Sequence, residues 1–122
     1  MDKINQLPPG SSLQSDLPAV LGARSGILAA IWDERCRQVI PEGYDAAHDD
    51  AHTGGEIALM AASYAALAGR SSVAAMHAWP WDEPMPKSLT AEPRRLLIIA
   101  GALILAEIER LDRAAAKETT HG

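Results

Sequence analysis

The stretch that decides the fold is LLIIAGALILAEIERL, residues 96–111. Its large apolar side chains follow the spacing of an α-helix, and from residue 96 to residue 106 the stretch is apolar nearly all round. Such a helix is typical of the centre of a domain, and the apolar run is too short to cross a bilayer. Thr90 can cap the helix, and Pro93 falls in its first turn. We therefore predict a long C-terminal helix at the centre of the molecule.

A second helix is predicted upstream, where the apolar residues between positions 27 and 40 recur at helical spacing. Ser25 can cap its start. Gly22 and Gly26 argue against an unbroken helix through the region before it. A separate short helix is therefore expected to end at Leu21.

A third helix is predicted to follow a short, polar segment. Asp45 can cap one helical turn in that segment. Thr53 and Glu56 have the spacing of a capping box, and Gly69 is a natural C-terminal stop. The proline-rich region that comes next, residues 70–89, reads as an ordered loop with a short helical turn near residues 72–77.

The composition favours helices throughout. Hydrophobic residues make up 48% of the 122 residues, and phenylalanine is absent. The β-branched and aromatic residues that form strands are sparse. We predict an all-α fold, a bundle of three to four helices, with a flexible arm over residues 1–15, a single helical domain over residues 16–118 and a frayed tail over residues 119–122.

Charge and cysteine content narrow the classes of partner. A net charge of −5 disfavours nucleic acid, because an acidic surface repels the phosphate backbone. The single cysteine, Cys36, cannot form an internal disulfide, and the polar N-terminus has no signal-peptide pattern. We expect a cytoplasmic protein with no membrane partner. Because the chain is small and rich in alanine, it can also bury surface in a homodimer.

Two histidines suggest a metal site. His48 and His52 would stand on one face of a helical turn, as a pair of metal ligands does. A third ligand would have to come from another element, and Glu56 and Glu107 are the choices. We expect no cofactor, with a divalent metal held by this group as the alternative. The simpler interpretation is that the histidines bond to backbone or carboxylate groups.

Glu107 is also a candidate by itself, because it falls on the apolar stripe of the last helix. A buried carboxylate needs a partner, since an unpaired buried charge is very unfavourable. Arg35, Arg95, His48 or His52 could supply it. A structural ion pair and a ligand-binding role both remain open for this residue.

Aromatic and basic residues form a second candidate site. Indoles stack on nucleobases, and cations bind phosphates. A pocket between the proline-rich loop and the start of the last helix could therefore bind a nucleotide-like ligand, using Tyr44, Trp79, Trp81, Lys87, Arg94 and Arg95. The alternative is that both tryptophans only seal a core that lacks phenylalanine.

Several short motifs occur in order along the chain: HDxxH at residues 48–52, GE at 55–56, YA at 64–65, WPW at 79–81 and AGALILAEIERL at 100–111. Their order resembles a family of small helical phage and prophage proteins, which implies a phage-type origin and no particular activity. A helix, a tryptophan-containing loop with prolines and a second helix are also similar to the ryanodine-receptor repeat domain. Bacterial and phage versions of that domain are associated with nucleotide-type ligands. The doubled aspartate after His48 and the WPW string are not standard features of it.

These observations lead to a functional expectation with open alternatives. The expected function is a phage-type binding protein that holds a nucleotide-derived anionic ligand without turnover, for instance to counter a host defence signal. The first alternative is a metal-dependent nucleotide hydrolase, and the second is a structural or protein-interaction module. The expected ligand-binding residues are Arg35, Tyr44, His48, His52, Trp79, Trp81, Lys87, Arg95 and Glu107.

Overall fold

The computed structural model describes the backbone of residues 17–85 and 92–121 and the side chains of residues 26–85 and 92–118. These residues form helices and no strand, so the all-α prediction is confirmed. No helix in these ranges is both long enough and apolar enough to cross a membrane. The helices are α1 (Leu17–Val39), α2 (Ala46–Asp50), α3 (Glu56–Ala68), α4 (Ser72–Ala78) and α5 (Pro93–His121).

The chain divides into two compact units, Met1–Ala30 and Ile31–Gly122. The described part of the first unit is the beginning of α1. The break predicted at Gly22 and Gly26 does not occur there, because α1 is helical from residue 17 onwards. A glycine inside a helix costs only about 1 kcal/mol relative to alanine, which weakens a helix without forbidding it. The predicted flexible arm, residues 1–15, lies outside the described residues.

The second unit has its core between α3 and α5. Helix α3 packs against α4 and α5, and α2 packs against α5. Alanine at the contact lets the two long helices approach closely, because its side chain is a single methyl group. The buried cluster consists of Ile57, Met60 and Ala61 from α3 and Leu103 and Ala106 from α5.

Helix α5 buries one face and exposes another. Leu96, Ala100 and Leu103 are almost fully buried. Four large apolar residues of the same helix are about half exposed: Leu97, Ile104, Ile108 and Leu111. A homodimer would bury this face, and the homodimer stays a prediction. The predicted frayed tail overlaps the last turn of α5, whose helical backbone continues to His121.

Three of the four sequence predictions about the short helices and their ends agree with the structure. Asp45 caps α2 by accepting the backbone N–H of His48 at 2.9 Å. Helix α4 covers the predicted turn, and α3 ends before Gly69 as expected. The capping box is wrong, because α3 begins later than predicted, with Gly55 as the N-cap in the left-handed region at φ 89°. The Glu56 carboxylate instead accepts the N–H of Gly54 at 2.7 Å.

Candidate functional site

The aromatic residues of the second unit gather around one cleft. The chain has three tryptophans, two tyrosines and no phenylalanine. Four of these five residues line a cleft of about 310 Å³, and only Trp32 lies elsewhere. The rest of the cleft is lined by both histidines of the HDxxH motif, by side chains of α3 and by two residues that follow Trp81. The lining residues are Tyr44, His48, His52, Ile57, Met60, Tyr64, Trp79, Trp81, Glu83 and Pro84.

Helix α2 arranges three of these rings as a ladder. Tyr44, His48 and His52 are spaced four apart, the separation of neighbours on one helix face; His48 lies in α2, and Tyr44 and His52 flank it. The rings of Tyr44 and His48 stack with centroids 4.5 Å apart, and those of His48 and His52 with centroids 4.7 Å apart. Trp81 meets His52 edge-on at 4.9 Å. We call Tyr44, His48 and His52 the ring ladder.

The two indoles are held by hydrogen bonds inside the protein. Trp79 Nε1 donates to the carbonyl of Glu83 at 2.8 Å, and Trp81 Nε1 donates to Met60 Sδ at 3.2 Å. Trp79 also meets Tyr64 in an edge-to-face contact at 6.4 Å. Because both indole donors are already used, a molecule in the cleft would contact these residues through their rings.

The tautomers of the two histidines follow from their partners. His48 Nδ1 lies 3.0 Å from Asp49 Oδ1, and His52 Nδ1 lies 3.1 Å from the carbonyl oxygen of His48. Both partners can only accept a hydrogen bond, so each Nδ1 must carry the proton. In the neutral form each ring therefore offers Nε2 as an acceptor.

A buried ion pair supports the ring ladder from behind. Arg35 Nη2 donates to Asp49 Oδ2 at 3.0 Å, and both side chains are almost completely buried. The same guanidinium donates to the carbonyl of Tyr44 at 3.0 Å and to Glu109 at 2.9 Å. Arg35 thereby joins α1, α2, α5 and the segment before α2. It does not line the cleft, so it is a positioning residue.

Arg95 belongs to a different cluster, centred on Glu34. Glu34 is 2% exposed and accepts hydrogen bonds from Arg37, Arg95 and Gln38. Burial alone would raise the pKa of Glu34, but the hydrogen bonds and charges of Arg37 and Arg95 outweigh it and lower the pKa. Arg95 therefore has a structural partner and does not line the cleft.

Glu107 is also outside the cleft. None of the partners predicted for it is the one observed, because it accepts two hydrogen bonds from Arg110, at 2.7 and 3.0 Å. Residues three apart on a helix lie side by side, so Arg110 needs no tertiary contact to reach it. Glu107 lies in an alanine-lined groove between α3 and α5. The tertiary fold does not bring it to the histidines.

The predicted metal group does not form among the residues with described side chains. No set of three or more His, Cys, Asp or Glu residues in these ranges could hold a metal ion. Both histidine Nδ1 atoms are committed to oxygen acceptors, and Asp49 uses one oxygen for His48 and the other for Arg35.

Five of the nine predicted residues meet in the cleft: Tyr44, His48, His52, Trp79 and Trp81. Lys87 lies outside the described residues. Tyr64 and Met60 were missed, although they are four apart on α3 and so share its buried face. Glu83 was missed too, and no sequence pattern marks it. Comparison with protein-family models, with curated proteins and with solved structures finds no match to this chain.

Proposed function

We propose that this protein binds a planar nitrogen heterocycle, such as the base of a nucleotide-derived ligand, and does not turn it over. The observation that carries the proposal is the concentration of four of the five aromatic residues, with two histidines, around one cleft. Stacking between a base and an aromatic ring contributes about 1–3 kcal/mol to binding. The cleft volume is at the lower end of the range of small-molecule sites.

The hydrogen-bonding groups of the cleft suit a heterocycle. The neutral histidines offer acceptors at Nε2, and a base edge carries N–H donors. The indole N–H groups are used within the protein, so they would not compete for base acceptors. Stacking would give affinity, and the histidine acceptors would give orientation.

The charge of the described lining supports recognition of the ring rather than of a phosphate. Among the residues with described side chains no lysine or arginine lines the cleft, and Glu83 is a carboxylate in its lining. A phosphate would have to be bound by Lys87 or by protonated histidines. We therefore expect a nucleoside to bind about as well as its monophosphate at neutral pH.

The test is a calorimetric titration with bases, nucleosides, nucleoside monophosphates and cyclic nucleotides, supported by thermal shift. A ligand at a hundred times its Kd stabilises the folded state by about 2.7 kcal/mol, which is easily measured. Trp81→Ala should abolish the ligand-induced shift. Trp32→Ala is the matched control, because Trp32 is 56% exposed and outside the cleft.

Two outcomes would count against the proposal: no ligand of the series binds, or Trp81→Ala binds as well as Trp32→Ala.

Recovery of unchanged ligand after long incubation with Mg²⁺ supports binding without turnover. Hydrolysed ligand would favour the hydrolase alternative, which no observation on the described residues supports. A preference for a cyclic nucleotide would support the role against a host signal, which otherwise rests on the phage resemblance.

A further inference from the structure

A second pocket, of about 220 Å³, shares three lining residues with the aromatic cleft: Tyr44, Met60 and Tyr64. We call it the side pocket. Its other walls are apolar on the α5 side and polar on the α1 side. These walls are formed by Arg37, Gln38, Glu42, Ile99 and Leu103.

The side pocket contains an unpaired acceptor, Gln38 Oε1. Gln38 is 2% exposed, and its Oε1 is the one buried side-chain oxygen or nitrogen, among residues with described side chains, that no hydrogen-bond partner reaches. The amide nitrogen of Gln38 donates to Glu34 at 3.3 Å. The amide cannot be turned round, because a carboxylate only accepts and would repel the oxygen. The oxygen therefore has to point away from Glu34.

Arg37, the cation that lines the side pocket, is already committed to other acceptors. Arg37 uses Nε and Nη2 for Glu34 and Nη1 for Glu42. An unsatisfied buried acceptor is unfavourable, and an apolar side chain of the same shape would avoid the penalty. A glutamine at this position therefore lowers the stability of the ligand-free protein. This is the behaviour expected of a residue that serves binding.

We propose that Gln38 Oε1 accepts a hydrogen bond from an amino group of the ligand, which enters the side pocket while the ring occupies the aromatic cleft. This inference rests on the proposed function. The side pocket favours a donor such as an amino or amide N–H over a phosphate, because Glu42 and Gln38 line it and its one cation, Arg37, is already paired with Glu34 and Glu42. Gln38 would thus make the protein specific for amino-substituted heterocycles.

The first test needs no ligand. Gln38→Met keeps the length of the side chain and removes the unpaired oxygen together with the 3.3 Å hydrogen bond from Nε2 to Glu34, a long bond that contributes less than the unpaired oxygen costs. The melting temperature of this variant should equal or exceed that of the wild type, by up to roughly 5 °C. A fall of more than about 5 °C would mean that the bond from Nε2 to Glu34 outweighs the penalty of the unpaired oxygen, which overturns the proposal.

The second test compares adenosine with purine riboside, which lacks only the exocyclic amino group. The wild-type protein should bind adenosine about fivefold more tightly, the value of one net hydrogen bond. Gln38→Met should remove this preference and leave the affinity for purine riboside within about twofold, since a nearly isosteric apolar change is tolerated.

The outcomes separate the two proposals. If the wild-type protein binds both nucleosides equally well, or if Gln38→Met keeps the preference for adenosine, the side-pocket proposal is wrong while the aromatic cleft stands. Equal affinities would mean that the amino group of the ligand does not reach the Gln38 oxygen. If neither nucleoside binds but other heterocycles do, the amino-group specificity is overturned. If no heterocycle binds, the proposed function fails as well.

Discussion

The buried ion pair behind the ring ladder makes a sharp prediction. Asp49→Asn keeps the size of the side chain and removes its charge. The Arg35 guanidinium, 6% exposed, then loses its most deeply buried partner. The hydrogen bond from His48 Nδ1 to the carboxylate also loses its ionic component. We expect lower stability and a disordered ring ladder.

The magnitude follows from what remains around Arg35. Removing one partner of a buried ion pair costs about 3–5 kcal/mol, because the other charge stays buried. Glu109 still accepts from Arg35 at 2.9 Å, although its side chain is 43% exposed. This remaining contact favours the lower limit, a loss of about 3 kcal/mol. In a unit of this size the melting temperature should fall by roughly 10–20 °C.

The assay is denaturation by urea and by heat at pH 7, with near-ultraviolet circular dichroism as a report on the packed rings. The matched control is Asp50→Asn, the same change one residue later in α2. Asp50 pairs with Arg113 at 2.9 Å where both side chains are about one-third exposed, so its loss should shift the midpoint little. Equal losses in the two variants, or less than about 1 kcal/mol for Asp49→Asn, would refute the reasoning.

Three further predictions concern pH, backbone and geometry. The pKa of Glu34 is below its ordinary value of 4.5, so the stability that its carboxylate contributes is complete above pH 4.5 and is lost as the pH falls through the folded pKa. Glu34→Gln should therefore make stability depend less on pH in the acid range. An unchanged pH dependence in that range would contradict this. Gly55→Ala should lower the free energy of unfolding by about 1–2 kcal/mol, because φ at this position is 89°. Gly26→Ala should raise it by about 0.5–1 kcal/mol, because Gly26 lies within a helix with open space around it. Chemical denaturation measures both changes, and the same sign for both would disprove the argument. Arg35→Lys should lower the free energy of unfolding by about 2 kcal/mol, since one ammonium group cannot bind all three acceptors of the guanidinium. If calorimetry shows wild-type stability, Arg35 does not hold these elements together.

Local chemistry explains the parts of the structure that could be predicted. The helical period of residues 96–111 predicts α5, and Asp45 and Gly69 mark element ends, because caps and side-chain spacing act within a few residues. Gly55 shows where such reasoning fails. The start of α3 depends on a left-handed backbone conformation, which a Thr–Glu spacing cannot reveal.

The candidate site divides in the same way. The four-residue spacing of His48 and His52 predicted that they share a face, since helical neighbours are set by the chain itself, and residue types predicted a pocket at Tyr44, Trp79 and Trp81. Tyr64 was not predicted, and the histidines and the indoles were predicted as two separate groups. The packing of α3 and of the segment after α4 brings them to one cleft.

The amino-acid sequence by itself determined the helical class, the long C-terminal helix and the face shared by His48 and His52. The tertiary structure alone decided that Arg35 pairs with Asp49, that Arg95 pairs with Glu34 and that Gln38 keeps an unpaired oxygen. The physical reason is the distance along the chain over which each kind of interaction acts. Propensity, capping and helical spacing act over a few residues, whereas the partner of a buried charge depends on which helices pack together and at what angle.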